Sequence, residues 1–193
     1  MIDYAAIHGE KYFTEYGGGN SYLNETTWGF VFRQIAAHLM ELKPLGTVLD
    51  AGCATGYLVE ALRERGVAAW GIDFSPWAYA HRRPAVADFI RCQRLQEPLH
   101  GPYDLVVCIE VLEHIPPKDA KRCIANLCAG SDDVIFSSTS DDVATPEHCN
   151  VREQAYWINL FAEQGYFEER DAEGKPTFDG GFICEWAHRF RKR

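Results

Sequence analysis

Two carboxylates and an imidazole crowd into five residues, Glu110-Val111-Leu112-Glu113-His114, and a second imidazole follows in Glu147-His148-Cys149-Asn150. Side chains of these types offer two kinds of chemistry. An imidazole that titrates near neutrality takes a proton from a hydroxyl nucleophile, so His114 is the first candidate base, with His148 and Glu110 as further catalytic candidates. Mixed carboxylate and imidazole donors also suit magnesium, manganese or zinc, which makes Glu110, Glu113, His114 and His148 a candidate metal-ligand set. One alternative stays open: Glu110 contacts an amino group of a bound cofactor, Glu113 caps the following turn, and both histidines line an acceptor pocket.

A second constellation lies upstream. Val48-Leu49-Asp50-Ala51-Gly52-Cys53-Ala54-Thr55-Gly56-Tyr57-Leu58 reads as a strand, a small-residue turn and the start of a helix. Open α/β sheets bind ligands at the carboxyl ends of such strands, where glycines let a ligand approach the backbone. Asp73 closes Trp70-Gly71-Ile72-Asp73 at about the twenty-residue offset at which an acid hydrogen-bonds ribose hydroxyls. A helix cap or a solvated strand end is its alternative role. Gly52 and Gly56 with Ala54 between them do not spell the dinucleotide fingerprint G-x-G-x-x-G, which argues against a nicotinamide enzyme.

Residues placed this way need a frame of strand ends. Short apolar strands are expected over 47–51, 68–73, 88–92, 103–109 and 133–138, with helices over 57–65, 76–82 and 118–129 between most of them. Such alternation predicts a parallel sheet with helices on both faces. Ahead of it, Trp28, Val31, Phe32, Ile35, Leu39 and Leu42 recur at helical spacing until Pro44 and Gly46 stop the run. After it come a helix over 151–164, carrying Tyr156, Trp157 and Phe161 toward the core, and two strands over 166–171 and 181–190. The turn signals at Gly174 and Pro176 make those two strands antiparallel neighbours. Ser137-Ser138-Thr139-Ser140-Asp141-Asp142 closes the fifth strand with polar groups, either for an acceptor or as an ordinary turn with local hydrogen bonds.

The 193 residues are read as one domain: a helical cap or lid over 1–45, with Tyr12, Tyr16, Tyr22 and Trp28, and a catalytic core over 46–193. A net charge of −9 repels phosphate backbones, and basic residues cluster only at Arg189, Arg191, Lys192 and Arg193, so nucleic acid is not the expected partner. No apolar run is long enough for a membrane span, and the first residues lack a secretory pattern. Seven cysteines (Cys53, Cys92, Cys108, Cys123, Cys128, Cys149, Cys184), none in a C-x-x-C pair, are read as reduced thiols of a cytoplasmic protein.

The segment from Asp50 to Gly56 resembles the D-x-G-x-G-x-G signature of class I S-adenosylmethionine-dependent methyltransferases, with Ala54 in place of the central glycine. Tyr103-Asp104-Leu105-Val106-Val107 and the E-V-L-E-H turn resemble that family's fourth motif as found in small-molecule O-methyltransferases. The resemblance implies a Rossmann-like, seven-stranded, mostly parallel sheet with an antiparallel C-terminal pair, and S-adenosylmethionine as the cofactor. It implies that Asp50 orders the loop and the methionine moiety, that Gly52, Cys53, Ala54 and Gly56 meet the cofactor backbone-first, and that Asp73, followed by Phe74, grips the ribose. The family's usual acid after the third strand is absent from Ile90-Arg91-Cys92-Gln93-Arg94-Leu95. The adenine contact therefore falls to Gln93 or the Leu95 backbone, and Ile109 completes the cofactor set.

The same E-x-x-E-H with a distant histidine resembles the divalent-metal site of small-RNA 2′-O-methyltransferases and recurs in ubiquinone-pathway O-methyltransferases. His148-Cys149-Asn150-Val151 with Tyr156-Trp157 and Phe161 resembles bacterial methyltransferases of glycan biosynthesis. The expected activity is in-line methyl transfer to a hydroxyl of a small-molecule or sugar-containing acceptor. The rivals are a metal-dependent RNA 2′-O-methyltransferase and a binding module that keeps the cofactor site without turnover.

Overall fold

The computed structural model describes residues 8–15, 21–178 and 187–193. Seven strands, β1 (Thr47–Ala51), β2 (Ala68–Asp73), β3 (Ile90–Cys92), β4 (Leu105–Ile109), β5 (Asp133–Ser137), β6 (Tyr166–Glu168) and β7 (His188–Lys192), form a sheet in the order β3-β2-β1-β4-β5-β7-β6. Pairing is parallel between β1 and β2, β2 and β3, and β4 and β5, and antiparallel where β7 meets β5 and β6. This is the mixed sheet expected. The chain divides into two compact units, residues 1–94 and 95–193.

In the first unit the helices are α1 (Glu10–Glu15), α2 (Phe30–Leu42), α3 (Tyr57–Arg63) and α4 (Pro76–Ala80). β1 and β2 keep the expected bounds because each is an apolar run that ends in a turn-forming segment. α2 buries Ile35, Ala36 and Leu39 on one stripe and stops at Lys43, which is extended because Pro44 follows. It begins at Phe30 rather than Trp28. Asn24 accepts the Thr27 N–H at 3.3 Å and draws Glu25–Gly29 into a wider π turn. β3 also starts later than expected, because Pro84 opens a 3₁₀ turn over Pro84–Phe89, closed by Val86 N–H to the Arg83 carbonyl at 3.1 Å. Asp88 and Phe89 lie in that turn, where the Phe89 ring carries the Arg63 guanidinium 3.2 Å from its centroid.

The second unit adds α5 (Pro117–Gly130) and α6 (Gln154–Glu163). β4 begins at Leu105 rather than 103, since the Tyr103 N–H is taken by the Gly130 carbonyl at 2.8 Å. α6 starts three residues late, because the Asn150 N–H bonds Glu113 O at 2.9 Å and its side-chain amide bonds Leu112 O at 3.3 Å. Trp157 and Phe161 are fully buried, Phe161 stacked on Phe190 with centroids 3.9 Å apart, while Tyr156 is half-buried. β6 is cut short at Glu168. Asp171 N–H bonds Lys175 O, and Thr177 N–H bonds Glu169 O, so the chain doubles back over 171–175. The last strand was expected over 181–190. Residues 181–186 lie outside the described residues, and β7 runs on to Lys192.

That extension changes the reading of the C-terminal cations. Arg189 is buried in a two-pronged pair with Asp133 and also reaches Glu169, Arg191 pairs with Glu169, and Lys192 with Asp132. Three of the four charges of the basic cluster are thus matched locally. Among the described residues no helix is long and apolar enough to cross a membrane.

Candidate functional site

In the first unit, β1 runs into a turn with three left-handed residues in five: Gly52 (φ 97°), Ala54 (φ 48°) and Gly56 (φ 98°). The turn is fastened to the end of β2. Gly52 and Cys53 donate to the Ile72 carbonyl at 2.8 and 3.0 Å, and the Ala54 N–H donates to Asp73 Oδ2 at 2.8 Å. Asp73 Oδ1 accepts the Ser75 N–H at 2.8 Å. Each carboxylate oxygen has a second lone pair, so Asp73 fixes the turn and keeps capacity for hydroxyl donors. Ser75 caps α4 by accepting the Ala78 N–H and donates its hydroxyl to the His8 carbonyl at 2.7 Å.

Glycine is required at Gly56 on two counts: its positive φ, and a Cβ that would fall 2.3 Å from Ile90 Cδ1. Ala54, by contrast, holds a side chain in a conformation that costs an L-residue about 1–2 kcal/mol. Ala54→Gly is therefore expected to raise stability by up to about 1 kcal/mol, while Gly56→Ala lowers it by more than that. Urea midpoints compared at equal m-values check both signs.

Two buried acids face this turn. Burial, with the charge of Asp73, pushes the Asp50 carboxyl up to about 8, and burial raises Asp73 against the backbone N–H groups that hold its charged form. Burial and the charges of Asp50, Cys53 and Asp73 raise the Tyr22 phenol, and burial and the same two acids raise the Cys53 thiol. Tyr22 belongs to a cover built from the leader: Phe13 stacks on Trp77 and is buried with Ala54 and Ala78, and Tyr12, Tyr22 and Trp77 pack against that cluster. Trp28 sits 5.1 Å from the Tyr22 ring, and Tyr16 lies outside the described residues. Phe74 is half-buried with its ring 5.0 Å from His8. The Gln93 N–H donates to the Asp73 carbonyl at 2.8 Å.

In the second unit Leu95 is buried, its carbonyl already accepting the Asn126 side-chain amide at 2.8 Å. Ile109 ends β4 half-buried, and Glu110 follows in the left-handed region (φ 52°), its N–H shared by the Ser137 carbonyl and hydroxyl oxygens, each at 3.2 Å. Strain of this kind in a non-glycine residue gathers at functional sites. Glu113 and His114 sit in the 3₁₀ turn Leu112–His114, both buried. Glu113 Oε2 accepts the Ser138 hydroxyl at 2.9 Å, and burial together with the neighbouring Glu110 raises its pKa well above the carboxylate range.

His148 comes from the loop over 141–150 and meets His114 edge-on, ring centroids 4.7 Å apart. Its Nδ1 donates to the Asp142 carbonyl at 2.7 Å. Glu113, His114 and His148 each place one donor atom within 4.8 Å of the others, and Glu110 is not among them. The sequence shows the Ser137–Asp142 stretch as a polar strand end, for an acceptor or as an ordinary turn. It does not show that Ser138 positions Glu113 and that Asp142 sets the His148 tautomer, contacts formed across 25 and 6 residues. Tyr22, expected in the lid, also neighbours both acids, which no residue spacing reveals.

A family model for the methyltransferase domain matches residues 27–190. Ubiquinone biosynthesis O-methyltransferase of Escherichia coli O7:K1 (strain IAI39 / ExPEC) is 36% identical over 101 residues, covering 47% of this chain and 42% of that protein. The match thus spans less than half the length of that curated relative. Among solved structures, magnesium protoporphyrin IX methyltransferase from Synechocystis PCC 6803 with bound SAM is similar with a TM-score of 0.69 at 20% identity, covering 100% of this chain and 99% of that one. A SAM dependent methyltransferase from Archaeoglobus fulgidus is similar with a TM-score of 0.64 at 17% identity, covering 89% and 99%. Likeness at these identities shows the fold.

Proposed function

Because the chain belongs to the methyltransferase-domain family, we propose that it transfers a methyl group from S-adenosylmethionine to an oxygen of a small-molecule or sugar-containing acceptor. The observation that carries this reading is the pair of buried acids, Asp50 and Asp73, at a glycine turn. Burying two carboxyls together is unfavourable unless a ligand brings hydroxyl donors and a positive charge. A ribose and an amino-acid ammonium bring both, whereas a diphosphate would meet repulsion. The residues of the first unit therefore suit the cofactor: Asp73 for the ribose, Asp50 for the ammonium, Gly52, Cys53, Ala54 and Gly56 for its edge, and Phe74 and Gln93 beside them.

Bound S-adenosylmethionine supplies a methyl group on a sulfonium, already activated for displacement. The acceptor oxygen takes that methyl in line as the carbon–sulfur bond breaks, and the acceptor proton passes to a protein base. His114, His148 and Glu110 are assigned to that end of the reaction, in a turn that excludes water around Glu113 and His114. The relatives support a small acceptor, one named for ubiquinone biosynthesis and another for magnesium protoporphyrin IX. The charge of −9 and the locally paired cations disfavour RNA. Among the described residues the six cysteines form no disulfide.

Calorimetric titration with S-adenosylhomocysteine tests the reading. Micromolar binding is expected for the wild type, weakened about a hundredfold in Asp73→Ala as two charge-assisted hydrogen bonds go. Wild-type protein that does not bind sinks the proposal. Binding without methyl gain on any hydroxyl acceptor, followed by mass spectrometry, would favour the module without turnover.

A further inference from the structure

We infer that Gln154, Trp157 and His188 form a subsite that recognises a neutral hydroxyl group of the acceptor. All three lie in the second unit, Gln154 and Trp157 one turn apart on α6 and His188 at the start of β7. They are grouped around Phe136. The Trp157 ring lies 5.5 Å from the Phe136 ring, and Phe136 has His188 as its Cα partner across the β5–β7 ladder, which puts both side chains on the sheet face that α6 covers. The His188 ring is 5.9 Å from that of Phe190, which is itself stacked on Phe161 of α6.

Each of the three carries a buried polar atom with no hydrogen-bond partner: Gln154 Oε1, Trp157 Nε1 and His188 Nε2. The role of each atom follows from its chemistry and from the bonds its side chain does make. Gln154 donates its amide nitrogen to the Ser138 carbonyl at 3.1 Å, so the bare atom is the carbonyl oxygen, an acceptor. His188 Nδ1 bonds the Glu168 carboxylate, which is buried and also paired with Arg170, so Nδ1 carries the proton and the neutral ring has its lone pair on Nε2. The Trp157 indole N–H is a donor only. One donor and two acceptors on one face suit a hydroxyl, whose oxygen accepts from the indole and whose hydrogen goes to an acceptor. A carboxylate or phosphate would meet the two lone pairs and the Glu168 charge behind the imidazole, and an ammonium would meet the indole N–H.

Three bare groups together depart from the near-complete pairing of native interiors. An internal water fills many such places, but this location favours a ligand. Gln154 bonds Ser138, and the Ser138 hydroxyl donates to Glu113 Oε2 at 2.9 Å, so the subsite adjoins the carboxyl end of β5 and the turn of Glu113 and His114. Open α/β sheets receive their ligands at that end. Resting on the methyl transfer proposed above, the hydroxyl held here is a second one, beside the oxygen that takes the methyl. The acceptor is then a molecule with at least two hydroxyl groups.

The readout is the indole N–H resonance of Trp157, identified among those of the five tryptophans by its loss in Trp157→Phe. Phenol and methyl α-D-glucopyranoside are the probes, with toluene and benzoate as controls. The expected result is a saturable shift with phenol or with the glucoside and none with either control, and the probe that acts tells an aryl hydroxyl from a sugar hydroxyl. Affinity for it should fall about tenfold in His188→Asn, whose amide nitrogen still reaches Glu168, and in Gln154→Met. S-adenosylhomocysteine binding by each variant shows that it is folded. No shift with either hydroxyl, an equal shift with toluene, or full affinity in both variants overturns the inference, and an indole contact to a water that neither probe displaces gives the place to that water. A hydroxyl shift in wild-type protein that does not bind S-adenosylhomocysteine would remove the methyl-transfer reading and leave the subsite standing, and cofactor binding without the shift does the reverse.

Discussion

Binding of S-adenosylhomocysteine at pH 7 is expected to release close to one proton per ligand, and Asp50→Asn is expected to abolish that release. With its carboxyl raised from 3.8 to about 8, Asp50 is roughly nine-tenths protonated at pH 7 in the free protein. The ligand's ammonium favours the ionised form, so the proton leaves as the ligand arrives. Affinity should therefore climb about tenfold per pH unit between pH 6 and 8 and level off above. Asp73 is shifted in the same direction, while Tyr22 and Cys53, raised from values above this range, stay neutral and contribute nothing to it.

The same shift acts on the empty protein with a definite sign. Between pH 4 and 8 the folded state holds a proton that the unfolded chain has lost. The resulting stability is fully present below about pH 4 and is lost as pH rises through 8, at about 1.4 kcal/mol per unit. Calorimetry in two buffers of different ionisation enthalpy counts the protons, and urea melts at several pH values follow the stability. A proton count of zero with pH-independent affinity would mean that Asp50 is already ionised in the free site.

What the chain discloses of this arrangement depends on how local the cause is. β1 and β2 end where an apolar run meets a small-residue turn or an acid, so 47–51 and 68–73 are legible residue by residue. So is the order of Asp50, the glycines and Asp73. The start of β3 was misplaced because an apolar pair, Phe89-Ile90, looks alike in a strand and in a turn, and only the Pro84 turn with the Arg63 stack decides between them. The protonation of Asp50 is set by its burial and by the nearness of Asp73, and spacing along the chain gives neither the burial nor the distance.

The acidic cluster shows the same limit. Glu110 and Glu113 are equivalent in E-V-L-E-H, yet the left-handed turn at Glu110 and the hydroxyl of Ser138 give them different surroundings, and only Glu113 meets both histidines. His148 could be named as a candidate from its type. Its tautomer, and hence its availability as a ligand, follows from a carbonyl six residues upstream that no residue pattern reveals.

Arg189→Met is expected to destabilise the protein by about 3–5 kcal/mol, the range for removing one partner of a buried ion pair. Arg189 and Asp133 are 7% and 3% exposed, joined by Nε to Oδ1 at 2.9 Å and Nη2 to Oδ2 at 2.8 Å, with Nη1 on Glu169 at 2.9 Å. Methionine replaces the stem but strands the Asp133 charge inside. If that stranded charge is the main loss, the double variant Asp133→Leu with Arg189→Met should be more stable than the single one, because a packed apolar pair is often as stable as a buried ionic one. A single variant that loses under about 1 kcal/mol would show that water reaches Asp133. The pair also bears on the site within its own unit. Asp133 begins β5, Ser137 ends it, and β7 sets its register through Ile135 opposite Arg189. A β5 loosened at Asp133 would carry Ser137 and Ser138 away from the Glu110 N–H and the Glu113 carboxylate.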